Sequence, residues 1–117
     1  MRHLALCLAL LAPCVAHAAD ADAGSRVFRA QCGACHVAGK NLIGPNLVGL
    51  IGRHAGAVEG FRYSAANKAA DFTWDAARLD PYLADPKAVI PGTSMLYAGL
   101  KDDARRADVI AYLETLK

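Results

Sequence analysis

Cys32, Cys35 and His36 stand within the run QCGACHV, residues 31–37. Two thiols and an imidazole so close together could form a redox disulfide, supply half of a zinc site, or carry a haem through its vinyl groups. C-x-x-C followed directly by His is the signature of covalent haem attachment. The spacing lets two thiols reach two vinyls while the adjacent imidazole rises to the iron. A dithiol redox site would need thioredoxin-like strands and helices around the motif, and no alternating apolar strand is evident anywhere in the chain. A zinc site would have to recruit His54 as its fourth ligand and strain His36, which is adjacent to Cys35.

A haem held by one histidine leaves its other face to be filled. The filler decides between an electron carrier and a site that binds small molecules. Met95 and His54 are the candidates. A lone methionine is usually core filler, but Met95 lies in the irregular run IPGTSMLYAG (90–99), between Gly92 and Gly99. His54 follows Arg53 in a glycine-rich loop, where a surface or hydrogen-bonding role suits it better. Ligand chemistry and loop context favour Met95.

The opening MRHLALCLALLAPCVAHAAD has Arg2, an apolar run from Leu4 to Val15, and small residues at Ala16 and Ala18. It reads as a secretory signal, residues 1–18, cleaved after Ala18 or Ala19. The apolar run is too short for a spanning helix, which needs about 20 residues, and Pro13 argues against acylation at Cys14. Cleavage removes Cys7, Cys14, His3 and His17, so Cys32 and Cys35 become the last cysteines of a single domain, 19–117. Of 13 Lys and Arg, Arg2 departs, leaving a near-balance with 11 Asp and Glu. Nothing in that balance suggests a nucleic-acid partner. A domain this small buries proportionally little surface, and a bridge between cysteines three apart would restrict the unfolded chain little. A haem would supply the missing core, and a form without it is expected not to fold.

The elements that must position these groups are helical. DADAGSRVFRAQCGACH (20–36) reads as a helix capped by Asp20 or Asp22, carrying the motif on one face. Residues 37–61 read as a glycine-punctuated loop. Ser64 caps a short helix toward Asp71. Over residues 73–89, Pro81 predicts either a kink or a fresh start with Asp80 as cap. Asp102 or Asp103 caps a last helix with an apolar stripe of Val109, Ile110, Tyr112, Leu113 and Leu116.

In order along the chain stand CGACH, GPNLVGLIGR, GFRYSAANK, FTW, YLADPKAVIPGTSM, AGL and DVIAYL. From about Gly24 to Leu116 the chain therefore resembles the small, soluble, mono-haem class I cytochromes c of mitochondria and bacteria. That resemblance implies an all-α class I cytochrome c fold, three to five short helices wrapped around one covalent haem c. It implies thioethers at Cys32 and Cys35, with His36 and Met95 on the iron. The Pro45 carbonyl would accept the His36 Nδ1 proton. Arg53, Tyr63 and Trp74 would hold a propionate, and Asn67, Tyr82 and Thr93 would form a polar network near Met95. Gly24 and Phe28 would meet Val109 and Tyr112 where the terminal helices cross. The chain departs from the family in Tyr97, where Phe is usual, and in lacking most of the docking lysines.

The function implied is a monomeric, non-enzymatic one-electron carrier of the periplasm or an equivalent intermembrane compartment, with no membrane span after cleavage. Its redox partners would dock near Ala34, Val37, Leu96 and Tyr97, a face poor in charge. The competing readings are a dedicated cytochrome partner of a dehydrogenase and, were Met95 labile, a haem peroxidase or gas-binding site.

Overall fold

Five helices and no strand make up the described part of a computed structural model, which describes Ala12, Pro13 and residues 18–117. Most of the expected signal segment lies outside the described residues. The helices are α1 (Ala21–Gln31), α2 (Ala65–Ala69), α3 (Ala76–Ala84), α4 (Pro86–Val89) and α5 (Asp103–Glu114).

Helix α1 starts where Asp20 accepts from the backbone N–H of Asp22 and Ala23, satisfying two donors that a helix start leaves free. Asp102 does the same for α5 through Arg105 N–H at 2.9 Å. The two helices cross with Gly24 against Asp108 and Val109. A Cβ on Gly24 would stand 1.8 Å from the Asp108 carbonyl oxygen. Phe28, one turn on from Gly24, meets Tyr112 with ring centroids 5.2 Å apart. A carboxylate oxygen of the buried Asp108 also accepts from Asp20 N–H at 2.8 Å, tying the start of α1 to the middle of α5.

The structure departs from the sequence reading at the end of α1. The helix stops at Gln31 instead of running to His36. Cys32 and Gly33 both direct their N–H to the Phe28 carbonyl, so the regular ladder is lost there. The next turn is rebuilt by Cys35 and His36, which both donate to the Cys32 carbonyl at 3.1 and 2.9 Å. A turn, not a helix face, therefore gathers the three side chains.

Of the two outcomes expected at Pro81, the structure removes one, the fresh start. Helix α3 is capped by Asp75, runs through Pro81, and ends at Asp85; no new start occurs at Asp80. Pro81 is exposed, so the only bond its ring removes is one that water can replace. The restart comes instead at Pro86, because a residue before proline, here Asp85, is pushed to extended backbone. The expected helix toward Asp71 is shorter than predicted and ends at Ala69, capped by Ser64 as expected.

Between α1 and α2 the chain is loop, held by backbone bonds. Gly52 N–H donates to the Trp74 carbonyl at 2.8 Å and Trp74 N–H to the Arg53 carbonyl at 2.9 Å. These bonds set Arg53 and Trp74 side by side.

Candidate functional site

The turn after α1, the glycine-rich loop, α2, α3 and the 90–99 loop enclose one cavity of about 320 Å³. Its wall is mainly apolar, with Phe28, Leu50, Phe61, Leu79, Leu83 and Val109 among its members. Into it come Cys32, Cys35, His36, Pro45, Arg53, Tyr63, Asn67, Trp74, Tyr82 and Met95. Thr93, the remaining residue singled out from sequence, is buried behind the wall.

His36 Nδ1 stands 3.1 Å from the Pro45 carbonyl oxygen. A carbonyl can only accept, so Nδ1 carries the proton and Nε2 keeps a lone pair. Burial lowers the His36 pKa, outweighing the Pro45 bond that raises it, so the imidazole is held neutral. Gly44 makes room for it: a Cβ there would lie 2.3 Å from His36 Cε1 and 2.6 Å from Nδ1.

Cys32 and Cys35 are not bridged to each other. Burial, helped by Cys35, pushes the Cys32 thiol up to about 11. Redox dithiols work through a low-pKa thiolate, so this environment is the reverse of what the disulfide reading needs. The zinc reading fails on geometry: among the described residues no group of three or more His, Cys, Asp or Glu side chains is arranged to hold a metal ion. His54 is exposed, with Nδ1 2.8 Å from the Ala55 carbonyl and Nε2 3.2 Å from Asp71. It takes no part in the cavity wall.

Around Met95 the polar groups form a chain. The single Thr93 hydroxyl proton goes to Asn67 Oδ1 at 2.8 Å, so Tyr82, 3.2 Å from Thr93 Oγ1, must be the donor to it. Met95 N–H also donates to Thr93 Oγ1, at 3.2 Å. Ser64 Oγ and Ser94 N–H converge on the same Asn67 oxygen. The start of the methionine loop is thereby fastened to α2 and α3.

Arg53 donates to the Asn46 and Val48 carbonyls at 2.8 and 3.3 Å, leaving other guanidinium protons for a cavity ligand. Its pKa is lowered by burial, with Tyr63 acting the other way. Tyr63 Oη accepts from Val58 N–H at 2.9 Å, and its own proton is given to no protein group among the described residues. Trp74 packs on Tyr82 at 4.8 Å between ring centroids.

These features fit an iron porphyrin. A mainly apolar cavity carries two thiols, an imidazole nitrogen with a free lone pair, a thioether sulfur, and cationic and phenolic donors suited to a buried carboxylate.

Sequence reading missed part of the cavity mouth. Ile43 is 72% exposed and Gln31 is also exposed, and both line the opening. No local signal marks either one. Arg105 likewise comes near Tyr97: burial and Cys32 raise the Tyr97 phenol's pKa, and Arg105 opposes them.

The family model described as cytochrome c matches residues 21–117. The chain is 50% identical to a cytochrome c2 of Blastochloris viridis over 97% of its own length and 93% of that protein. It is 50% identical to cytochrome c-550 of Nitrobacter winogradskyi over 80% of its length and 88% of that protein. The solved structure of cytochrome cH from Methylobacterium extorquens is similar, with a TM-score of 0.79 and 45% identity, covering 82% of this chain and 98% of that one.

Proposed function

Since the chain belongs to the cytochrome c family and is an electron carrier with one covalently bound haem c, we propose how its own residues hold that group and meet their partners. Cys32 and Cys35 would carry the thioethers, and His36 Nε2 and the Met95 sulfur would hold the iron. Bound there, the iron supplies reversible one-electron exchange between ferric and ferrous states.

The observation that carries this assignment is the single cavity that receives both thiols, the neutral imidazole and the thioether together. Pro45 orients His36 and raises its basicity as a ligand. Asn67, Thr93 and Tyr82 hold the Met95 loop in place. Arg53, Tyr63 and Trp74 meet a propionate. With His36 and Met95 both holding the iron, the protein would offer a substrate no place there, and a methionine ligand in an apolar wall would favour the reduced state. Substituting Met95→Leu should abolish the methionine-to-iron charge-transfer band of the ferric protein at neutral pH. A wild-type protein without that band would refute the ligand set.

Partners are proposed to dock around Ala34, Val37, Leu96 and Tyr97. Leu96 is 88% exposed and Val37 40%, and Ile43 extends the same apolar rim. Lys40, Lys101 and Arg105 stand at its margin, too few for strong steering. Electron-transfer rates followed by stopped flow should vary little with salt, and a steep fall with ionic strength would refute weak steering. Residues 1–18 are proposed to be an export signal, cleaved after Ala18 or Ala19, which delivers a monomer to the periplasm. Among the described residues no helix is long and apolar enough to cross a membrane.

A further inference from the structure

The loop that carries Met95 is fastened unevenly. Its first half is tied down through Thr93, Ser94 and the Met95 N–H. From Met95 to Gly99 the chain has no helix, and Leu96 projects into solvent. The next anchor is Leu100 N–H on the Leu83 carbonyl at 2.8 Å. Between these anchors, among the described residues, one hydrogen bond leaves the loop for another element. Tyr97 Oη donates to Gln31 Oε1 at 2.5 Å, joining positions 66 residues apart. Both side chains line the cavity, Gln31 being the last residue of α1 and the neighbour of Cys32.

We propose that the Tyr97–Gln31 bond is a tether across the cavity mouth which holds the Met95 loop shut and sets how readily an outside ligand displaces Met95 from the iron. The proposal rests on the assignment of Met95 as ligand.

The mechanics follow from the two ends. Gln31 sits on a rigid support, because α1 is locked to α5 by the Gly24 approach and the Phe28–Tyr112 contact. On the loop side, Tyr97 N–H donates to the Met95 carbonyl at 2.9 Å, a tight turn that makes residues 95–97 move together. Pulling Met95 away from the iron therefore drags Tyr97, and the phenol must release Gln31. Phe at position 97 would keep the ring and its packing but lose this release step. Tyr97 is a positioning residue, acting on the iron through Met95.

A typical net hydrogen bond makes opening about 3- to 10-fold less frequent. The test uses the ferric holoprotein and imidazole as the incoming ligand, with binding followed by absorbance. Tyr97→Phe and Gln31→Leu should each speed imidazole association by about 3- to 10-fold. The double variant should gain no more than either single one, because both remove the same bond. Gln31→Glu keeps an acceptor for the phenol, a stronger one when ionised, and should bind imidazole at the wild-type rate or more slowly. Amide hydrogen exchange should quicken at residues 95–99 and remain unchanged in α1 and α5.

Unchanged imidazole rates in the single variants, or additive gains in the double variant, would overturn the tether. Failure of the ligand assignment looks different: the wild-type protein would then lack the methionine-to-iron band and bind imidazole without delay. An intact band with unaltered rates sinks the tether alone.

Discussion

Gly24→Ala sets two physical rules against each other. Inside a helix alanine is favoured over glycine by about 1 kcal/mol, so propensity alone predicts a more stable protein. The crossing with α5 predicts the reverse. The added Cβ would lie 1.8 Å from the Asp108 carbonyl oxygen, 2.4 Å from its carbonyl carbon and 2.9 Å from Val109 N. All three are backbone atoms, which no rotamer change can move. To restore even a 3.0 Å contact the helices must part by about 1.2 Å. That separation loosens Val109, which is 1% exposed, and lengthens the Phe28–Tyr112 contact. Overpacking costs about 1–3 kcal/mol, and a rigid backbone obstacle belongs at the upper end, about 3 kcal/mol. Less the propensity gain, the net loss is about 2 kcal/mol. For a domain of this size that lowers Tm by about 8–16 °C. Thermal unfolding of the holoprotein by far-UV circular dichroism measures it. Ala30→Gly, at an exposed position of the same helix, serves as the control and should lose about 1 kcal/mol. A Tm for Gly24→Ala equal to or above wild type would refute the close-approach reasoning.

At Gly44 the obstacle is the His36 ring: Gly44→Ala should displace it, weaken the Nδ1–Pro45 bond and cost about 1–3 kcal/mol. Faster solvent exchange of the His36 Nδ1 proton in NMR spectra, alongside a lower denaturant midpoint, is the expected result. The His54 pKa is raised above its ordinary 6.5, first by the Asp71 hydrogen bond, so Asp71→Asn should bring its NMR titration midpoint down. A raised folded pKa means that the pair's stabilisation is complete below the unfolded value and is lost as pH climbs through the folded one. An unchanged midpoint in the variant would show that the pair does not form in solution. Leaving the cavity of about 320 Å³ unfilled costs at most about 8 kcal/mol, which rivals the whole stability of a small domain. Chain produced without haem attachment should accordingly lack near-UV circular dichroism, and a fixed near-UV signal would contradict that.

What the sequence by itself determined was local. Cys32, Cys35 and His36 declare their chemistry by spacing, and Asp20, Ser64 and Asp102 mark helix starts because a cap needs only the next few residues. Met95 stands out as a thioether side chain, able to act as a soft ligand, in an irregular loop. Tertiary structure decided whatever depends on distant neighbours. The end of α1 at Gln31, where Cys32 and Gly33 share the Phe28 carbonyl, and the passage of α3 through an exposed Pro81 depend on the backbone's surroundings in the folded chain, which pattern alone does not contain. Asn67 gathers donors from Ser64, Thr93 and Ser94 only after α2 and the Met95 loop are brought together. Gln31 and Tyr97, with no motif between them, meet only because the crossing of α1 and α5 brings the end of one helix to the rim of the cavity. Short-range chemistry can be read from residue order. The closing of the chain around a shared cavity is a long-range event, and it alone sets which quiet residues guard the mouth.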